Sequence, residues 1–123
     1  MRRGEAERKA ADGRGRHAET KAAAALRAEG WAVLAQRVRT PAGELDLVAE
    51  RDGLLAFVEV KARASLVEAA FALGPRQRAR LVAAAEAWMA ANPVHGAAGV
   101  RFDVLLVDAE GRVRRIADAF RVE

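Results

Sequence analysis

Asp46, Glu59 and Lys61 stand in the middles of two apolar segments, within the stretch GELDLVAERDGLLAFVEVKAR from Gly43 to Arg63. Two carboxylates and an amine are groups that hold a hard metal ion or move a proton. They act together only if the chain brings them to one place, and their spacing predicts that it does. Strand side chains alternate between faces. In the segment from Leu54, one face carries Leu54, Ala56, Val58, Val60 and Ala62; the other carries Leu55, Phe57, Glu59, Lys61 and Arg63. In the segment from Glu44, Leu45, Leu47 and Ala49 face one way, and Glu44, Asp46, Val48 and Glu50 the other. Asp52-Gly53 suits a tight hairpin turn. Closing the hairpin there sets Val48 opposite Phe57, Asp46 opposite Glu59 and Glu44 opposite Lys61. Opposed Cβ atoms in such a pair lie about 4.5–5.5 Å apart, and like charges there repel. The repulsion is relieved if one carboxyl is protonated or if a cation sits between them. Magnesium suits the second role, because it takes one or two protein carboxylates and keeps waters for chemistry. Lys61 lies one step along the same face, within reach of such a water or of a developing oxyanion. The solvent-facing side of an antiparallel sheet would also carry Asp, Glu and Lys. The in-register acids, the apolar Val48, Leu55 and Phe57 on that face, and a third carboxylate at Glu19 weigh against this plainer reading.

Composition narrows the chemistry. The chain has no cysteine, which rules out a disulfide framework, a thiol nucleophile and a zinc knuckle. The two histidines, His17 and His95, are far apart, and no Gly-rich phosphate loop is present. Ser65 is the only serine and there is no tyrosine, so serine hydrolases and tyrosine recombinases are not expected. A net charge of +4 and a pI near 10.6 favour an anionic partner such as nucleic acid. Of 21 basic residues only Lys9, Lys21 and Lys61 are lysines, so a lysine inside a strand calls for a reason. The first residues lack the apolar core of a secretory signal. The run LVAAAEAWMAA is too short and interrupted to cross a bilayer. A cytoplasmic protein without a membrane partner is expected.

The elements that must position these groups follow from periodicity. A length of 123 residues suits one domain. Residues 1–13 are charged without an apolar period and read as a loosely attached arm, leaving 14–123 as the domain. A first helix is expected from Gly15 to Glu29, stopped by Gly30, with Glu19 sharing the face of Ala22, Ala23 and Leu26 and pointing towards the core side. Strands are expected at Trp31–Arg39, Glu44–Glu50 and Leu54–Arg63, followed by an irregular connection over 64–74. Pro75 opens a second helix whose stripe is Leu81, Val82, Ala85, Trp88 and Met89, with Asn92-Pro93 as its end. A strand at Val100–Val107 and a last strand or edge at Arg112–Val122 complete an αβββαβ(β) order. The crossover through the second helix predicts that the strands on either side of it are parallel, with the first three antiparallel. Trp31 and Trp88 are expected in the core, and Arg101 with Asp103 as a structural pair.

Glu19, then GELDLV, FVEVKAR and RFDV, resembles the PD-(D/E)XK nuclease superfamily. More closely it resembles the YraN family of small bacterial proteins, over nearly the whole chain. The resemblance implies an α/β fold with a restriction-endonuclease-like αβββαβ core, a mixed central sheet flanked by helices. It implies that Asp46 and Glu59 bind a divalent metal ion, magnesium or manganese, with Glu19 as an auxiliary ligand. Lys61 would position or activate the attacking water, or stabilise the charge that develops on phosphorus. The implied reaction is phosphodiester hydrolysis in nucleic acid, DNA in the first instance and branched structures among its forms. Resolvase relatives work as dimers on two-fold symmetric junctions, so a homodimer is an implied state. Arg63, Arg76, Gln77 and Arg80, with Arg78 beside them, flank the site and are candidates for nucleic-acid contact; Gln77 stands where relatives commonly carry lysine. The alternative is a non-catalytic nucleic-acid-binding protein that retains the nuclease fold.

Overall fold

A computed structural model describes the backbone of residues 3–63 and 74–120, and the side chains of 16–63 and 74–120. Helix α1 spans Arg3–Ala28, then come β1 Ala32–Thr40, β2 Gly43–Arg51 and β3 Leu54–Ala62. Helix α2 spans Pro75–Ala91, followed by β4 Gly99–Val107 and β5 Val113–Phe120. The strands form one sheet in sequence order, β1-β2-β3-β4-β5. β1, β2 and β3 pair antiparallel, β3 and β4 pair parallel, and β4 and β5 pair antiparallel. This is the expected mixed α/β sheet, with β5 as a full edge strand, and it is consistent with a restriction-endonuclease-like core. Most of the expected connection over 64–74 lies outside the described residues.

One boundary differs. α1 begins at Arg3, so the backbone is helical through most of the segment read as an arm and well before Gly15. The stretch EAERKAA is made of strong helix formers, and propensity carries a helix where no apolar stripe asks for one. The other end is as expected. Gly30, at φ +90°, stops α1, and the Trp31 amide donates to the Leu26 carbonyl at 3.0 Å to close the last turn.

The two helices cover opposite faces of the sheet. On one face Ala22, Ala23 and Leu26 of α1 pack with Trp31 against Leu47, Ala49, Ala56, Val58 and Leu105. On the other, Leu81, Ala84, Ala85 and Trp88 of α2 pack against Val48, Leu55, Phe57 and Phe102. β3 is therefore apolar on both sides, as a central strand must be. Phe57 is the pivot of the α2 side. Its ring meets Trp88 edge-on at 5.9 Å and stacks on Phe102 at 5.8 Å. Contacts of this kind are worth about 0.5–1.5 kcal/mol each beyond the area they bury. Val82 and Met89, expected in the stripe of α2, are only half-buried, while Ala84 is fully buried.

The hairpin between β2 and β3 turns on Asp52 and Gly53, both left-handed at φ +51° and +78°. Left-handed backbone at both central residues defines a type I′ turn. It sets the expected register from Arg51 opposite Leu54 to Leu47 opposite Val58. Beyond Leu47 the ladder stops, so the expected pairings of Asp46 with Glu59 and Glu44 with Lys61 are not strand pairs. Side-chain alternation in β2 also breaks at Asp46. Leu45 joins the α2 side with Val48, whereas Leu47 and Ala49 lie on the α1 side, which corrects the placing of all three on one face. The cause is local. In β1, Arg37, which would oppose Asp46, is left-handed at φ +53° and drops out of the β1–β2 register.

Candidate active site

The candidate side chains sit where β2 and β3 part. The Val60 amide, which would have continued the ladder, donates instead to Asp46 Oδ2 at 2.8 Å. This bond anchors the carboxylate and holds the strands apart by the width of a side chain. The Asp46 and Glu59 carboxyl groups face each other closely enough across the gap for each to shift the other's pKa. The sequence argument thus reaches the right neighbours by an incomplete route: the hairpin aims the two acids at each other, and a side-chain bond replaces the last backbone rungs.

Glu59 is buried, and its Oε1 accepts two donors. Gln77 Nε2, from the first turn of α2, lies at 2.7 Å, and Lys61 Nζ lies at 3.1 Å. Lys61 is itself buried, which is costly for an ammonium group unless it is paired. Burial raises the Glu59 pKa most, the Asp46 charge raises it further, and Lys61 opposes both; the result is about 7. Burial also raises Asp46, against the lowering effect of the Val60 amide. The pair, with one lysine beside it, therefore retains a proton close to neutral pH. A cation would replace that proton.

Glu19 occupies the flank. Its carboxylate lies 3.5 Å from Arg37 Nε, and burial followed by the Asp46 charge raises its pKa. It is close enough to Asp46 to feel its charge, but among the described residues no group of three or more His, Cys, Asp or Glu side chains converges to hold a metal ion. The oxygen donors drawn together are those of Asp46 and Glu59. Their carboxylate oxygens are hard ligands of the kind that suits a magnesium-like ion.

A cavity of about 180 Å³ opens on the pair, lined by Gly43, Glu44, Asp46, Glu59, Gln77 and Arg80. Larger cavities, of about 550 Å³ beside β4 and α2 and about 460 Å³ beside the ends of β3 and β4, do not include the pair. Arg63 and Arg76 are exposed, and Arg63 Nη1 donates to the Ala62 carbonyl at 2.8 Å. Arg78 lies 5.7 Å from the Phe120 ring, away from the acids. The amide of Gln77, expected to face nucleic acid, is engaged with Glu59. His95 bonds Glu50 at 3.0 Å, and Arg101 grips Asp103 with two bonds of 2.8 and 2.9 Å, as the expected structural pair. Arg37 and Gly43 escape sequence reasoning. A left-handed arginine in a strand leaves no trace in the residue pattern, whereas Gly43 after Thr40-Pro41-Ala42 is a signal, read only as part of a loop.

No helix among the described residues is long and apolar enough to cross a membrane. Residues 18–107 match the model of the Uncharacterised protein family UPF0102, which takes in the acidic pair, Lys61 and Gln77. A UPF0102 protein of Granulibacter bethesdensis is 61% identical over 109 residues, covering 89% of this chain and 69% of its own. One from Rhodopseudomonas palustris strain BisB5 is 54% identical over 114 residues, covering 93% of this chain and 87% of its own. One from Bradyrhizobium sp. strain ORS 278 is 52% identical over 114 residues, covering 93% and 81%. A model match over most of the chain, joined to relatives this similar over nearly its whole length, assigns the chain to the UPF0102 family.

Proposed function

We propose that the chain is a metal-dependent nuclease of the PD-(D/E)XK type, acting on nucleic acid, DNA first, by phosphodiester hydrolysis in the cytoplasm. The observation that carries the reading is the buried Glu59 with Lys61 Nζ at 3.1 Å, sharing with the half-buried Asp46 one cavity at a gap in the sheet. Asp46 and Glu59 would hold magnesium or manganese. Such an ion lowers the pKa of a bound water and offsets phosphate charge. The chain's own residues do the rest. The Val60 amide keeps Asp46 oriented, and Gln77 keeps Glu59 oriented. Lys61 holds its positive charge beside the pair, where it steadies a hydroxide or the charge that builds on the phosphoryl oxygens. Arg63, Arg76 and Arg80 supply phosphate contacts along the rim.

Cleavage of branched and linear DNAs with magnesium or manganese tests this, comparing wild type with Asp46→Ala and Lys61→Ala. Loss of cleavage in both variants is expected; equal activity in all three proteins rejects the site. A second reading, nucleic-acid binding without turnover, draws on the absence of a three-carboxylate metal group among the described residues. Salt-sensitive DNA binding that survives Glu59→Ala, with no metal-dependent cleavage by wild type, would establish it.

A further inference from the structure

The mouth of the pocket is built as well as its floor. Thr40 closes the turn between β1 and β2 with its side chain. Its Oγ1 accepts from the Gly43 amide at 3.1 Å and the Ala42 amide at 3.2 Å, and donates to the Gly43 carbonyl at 2.7 Å. Gly43 is thereby held at φ +146°, a conformation that side-chain-bearing residues rarely adopt. The bare Cα of Gly43 faces the stem of Arg80 in α2. A Cβ at position 43 would stand 3.2 Å from Arg80 Cδ and 3.4 Å from Cγ, too close unless the arginine moved. Arg80 lines the cavity together with Glu44, Asp46 and Glu59. Among the described residues no carboxylate forms an ion pair with it. An arginine set against a glycine at the rim of an acidic pocket, with its charge uncommitted, is placed for an anion that arrives from outside.

Resting on the nuclease reading above, we propose that Arg80 binds the phosphate seated over Asp46 and Glu59, and that Gly43, locked by Thr40, is the positioning residue that keeps Arg80 there. The site then grips a phosphodiester from two sides: through the acids and Lys61 on the sheet, and through Arg80 on the helix. An arginine fork suits two phosphate oxygens at once.

The test is binding of a fluorescein-labelled DNA duplex by the full chain, with calcium as the divalent ion, over a range of salt concentrations. Arg80→Ala should weaken binding about tenfold and reduce the slope of log affinity on log salt by about 1. Gly43→Ala should give a smaller slope change in the same direction while Arg80 is present, and no further change in the Arg80→Ala background. Thr40→Val keeps the glycine and should follow Gly43→Ala, so the argument survives if strain at position 43 unfolds that variant. Arg80→Lys should recover the slope, because it restores the charge. A change confined to melting temperature, with the slope intact, overturns the inference and marks the turn as purely structural. Wild-type binding with an unaltered slope in Arg80→Ala overturns it and leaves the nuclease reading standing. Wild type that binds no duplex at low salt overturns both.

Discussion

Replacing Glu59 with glutamine should stabilise the metal-free chain at alkaline pH while disabling the site. In the fold, the Glu59 pKa rises from 4.5 to about 7, chiefly because the carboxylate is buried and faces Asp46. A raised carboxyl pKa means that the folded state holds a proton which the unfolded state has released. The stabilisation is complete below pH 4.5 and is lost as pH rises through about 7. At 1.36 kcal/mol per pKa unit, the penalty at pH 8 is at most roughly 3 kcal/mol. Glutamine carries none of it. Its carbonyl can still accept from Gln77 and Lys61, and its amide can donate to Asp46. Glu59→Gln should therefore melt ~10 °C above wild type at pH 8, taking roughly 3–4 °C per kcal/mol for a domain of this size. Near pH 4 the two should coincide. Circular-dichroism melts in a chelator at intervals from pH 4 to 8 measure the difference directly. Taking the difference cancels the contributions of Glu50 and Asp108, whose pKa values are lowered, and which lie apart from the pair; Asp46 titrates together with Glu59, so its share is part of what the difference reads. A constant offset across that range, or a variant less stable at pH 8, would refute the account of the acidic pair.

Manganese should raise the wild-type melting temperature at pH 8 but leave Glu59→Gln unmoved, with about 2.7 kcal/mol expected at a hundredfold excess over Kd; an equal rise in both places the ion elsewhere. Asp46→Ala strands the Val60 amide and should cost about 1–3 kcal/mol in denaturant titration, whereas Asp46→Asn keeps an acceptor and should cost less. Arg101→Met leaves the buried Asp103 carboxylate without its cation and should destabilise by about 3–5 kcal/mol, a loss measurable by the same titration. Trp88→Ala removes the ring that meets Phe57 and should cost about 3–5 kcal/mol, with cleavage lost only through unfolding.

The parts of the fold legible in the sequence are those where local chemistry and global position agree. Asp52-Gly53 admits one kind of turn, and that turn carried the register correctly as far as Leu47. Gly30 and Pro75 mark helix boundaries that the backbone respects. The parallel pairing of β3 and β4 follows from the helix between them. What stayed hidden depends on competition between backbone and side chain. Nothing in the letters GELDLV says that Asp46 will take the Val60 amide from the ladder, or that Arg37 will turn left-handed opposite it. Periodicity assumes an unbroken pleat, so it placed Leu45 with Leu47 when a one-residue irregularity separates them. The start of α1 is hidden for the opposite reason: it lies where helix formers carry the helix without an apolar stripe.

Several of those hidden features gather around the pocket, and that bears on function. Elsewhere the irregularities are single ones, a register shift between Val33 and Ala35 in β1 and another between Phe102 and Val104 opposite the left-handed Asp118 of β5, while the aromatic rings of the α2 side interlock. Around the pocket the rules fail together. A ladder ends early, and a non-glycine residue is left-handed at a cost of about 1–2 kcal/mol. Two carboxyls are pressed together with a lysine among buried groups. A chain shaped for stability alone would close the gap with another rung and an apolar pair at positions 46 and 59. The two packed faces of the sheet are what hold it open, since Phe57 and Leu47, just inside the gap, are fixed from opposite sides by α2 and α1. The rigidity of the core and the strain of the site are thus two halves of one arrangement. Loosening either helix should relax the acids before it unfolds the sheet.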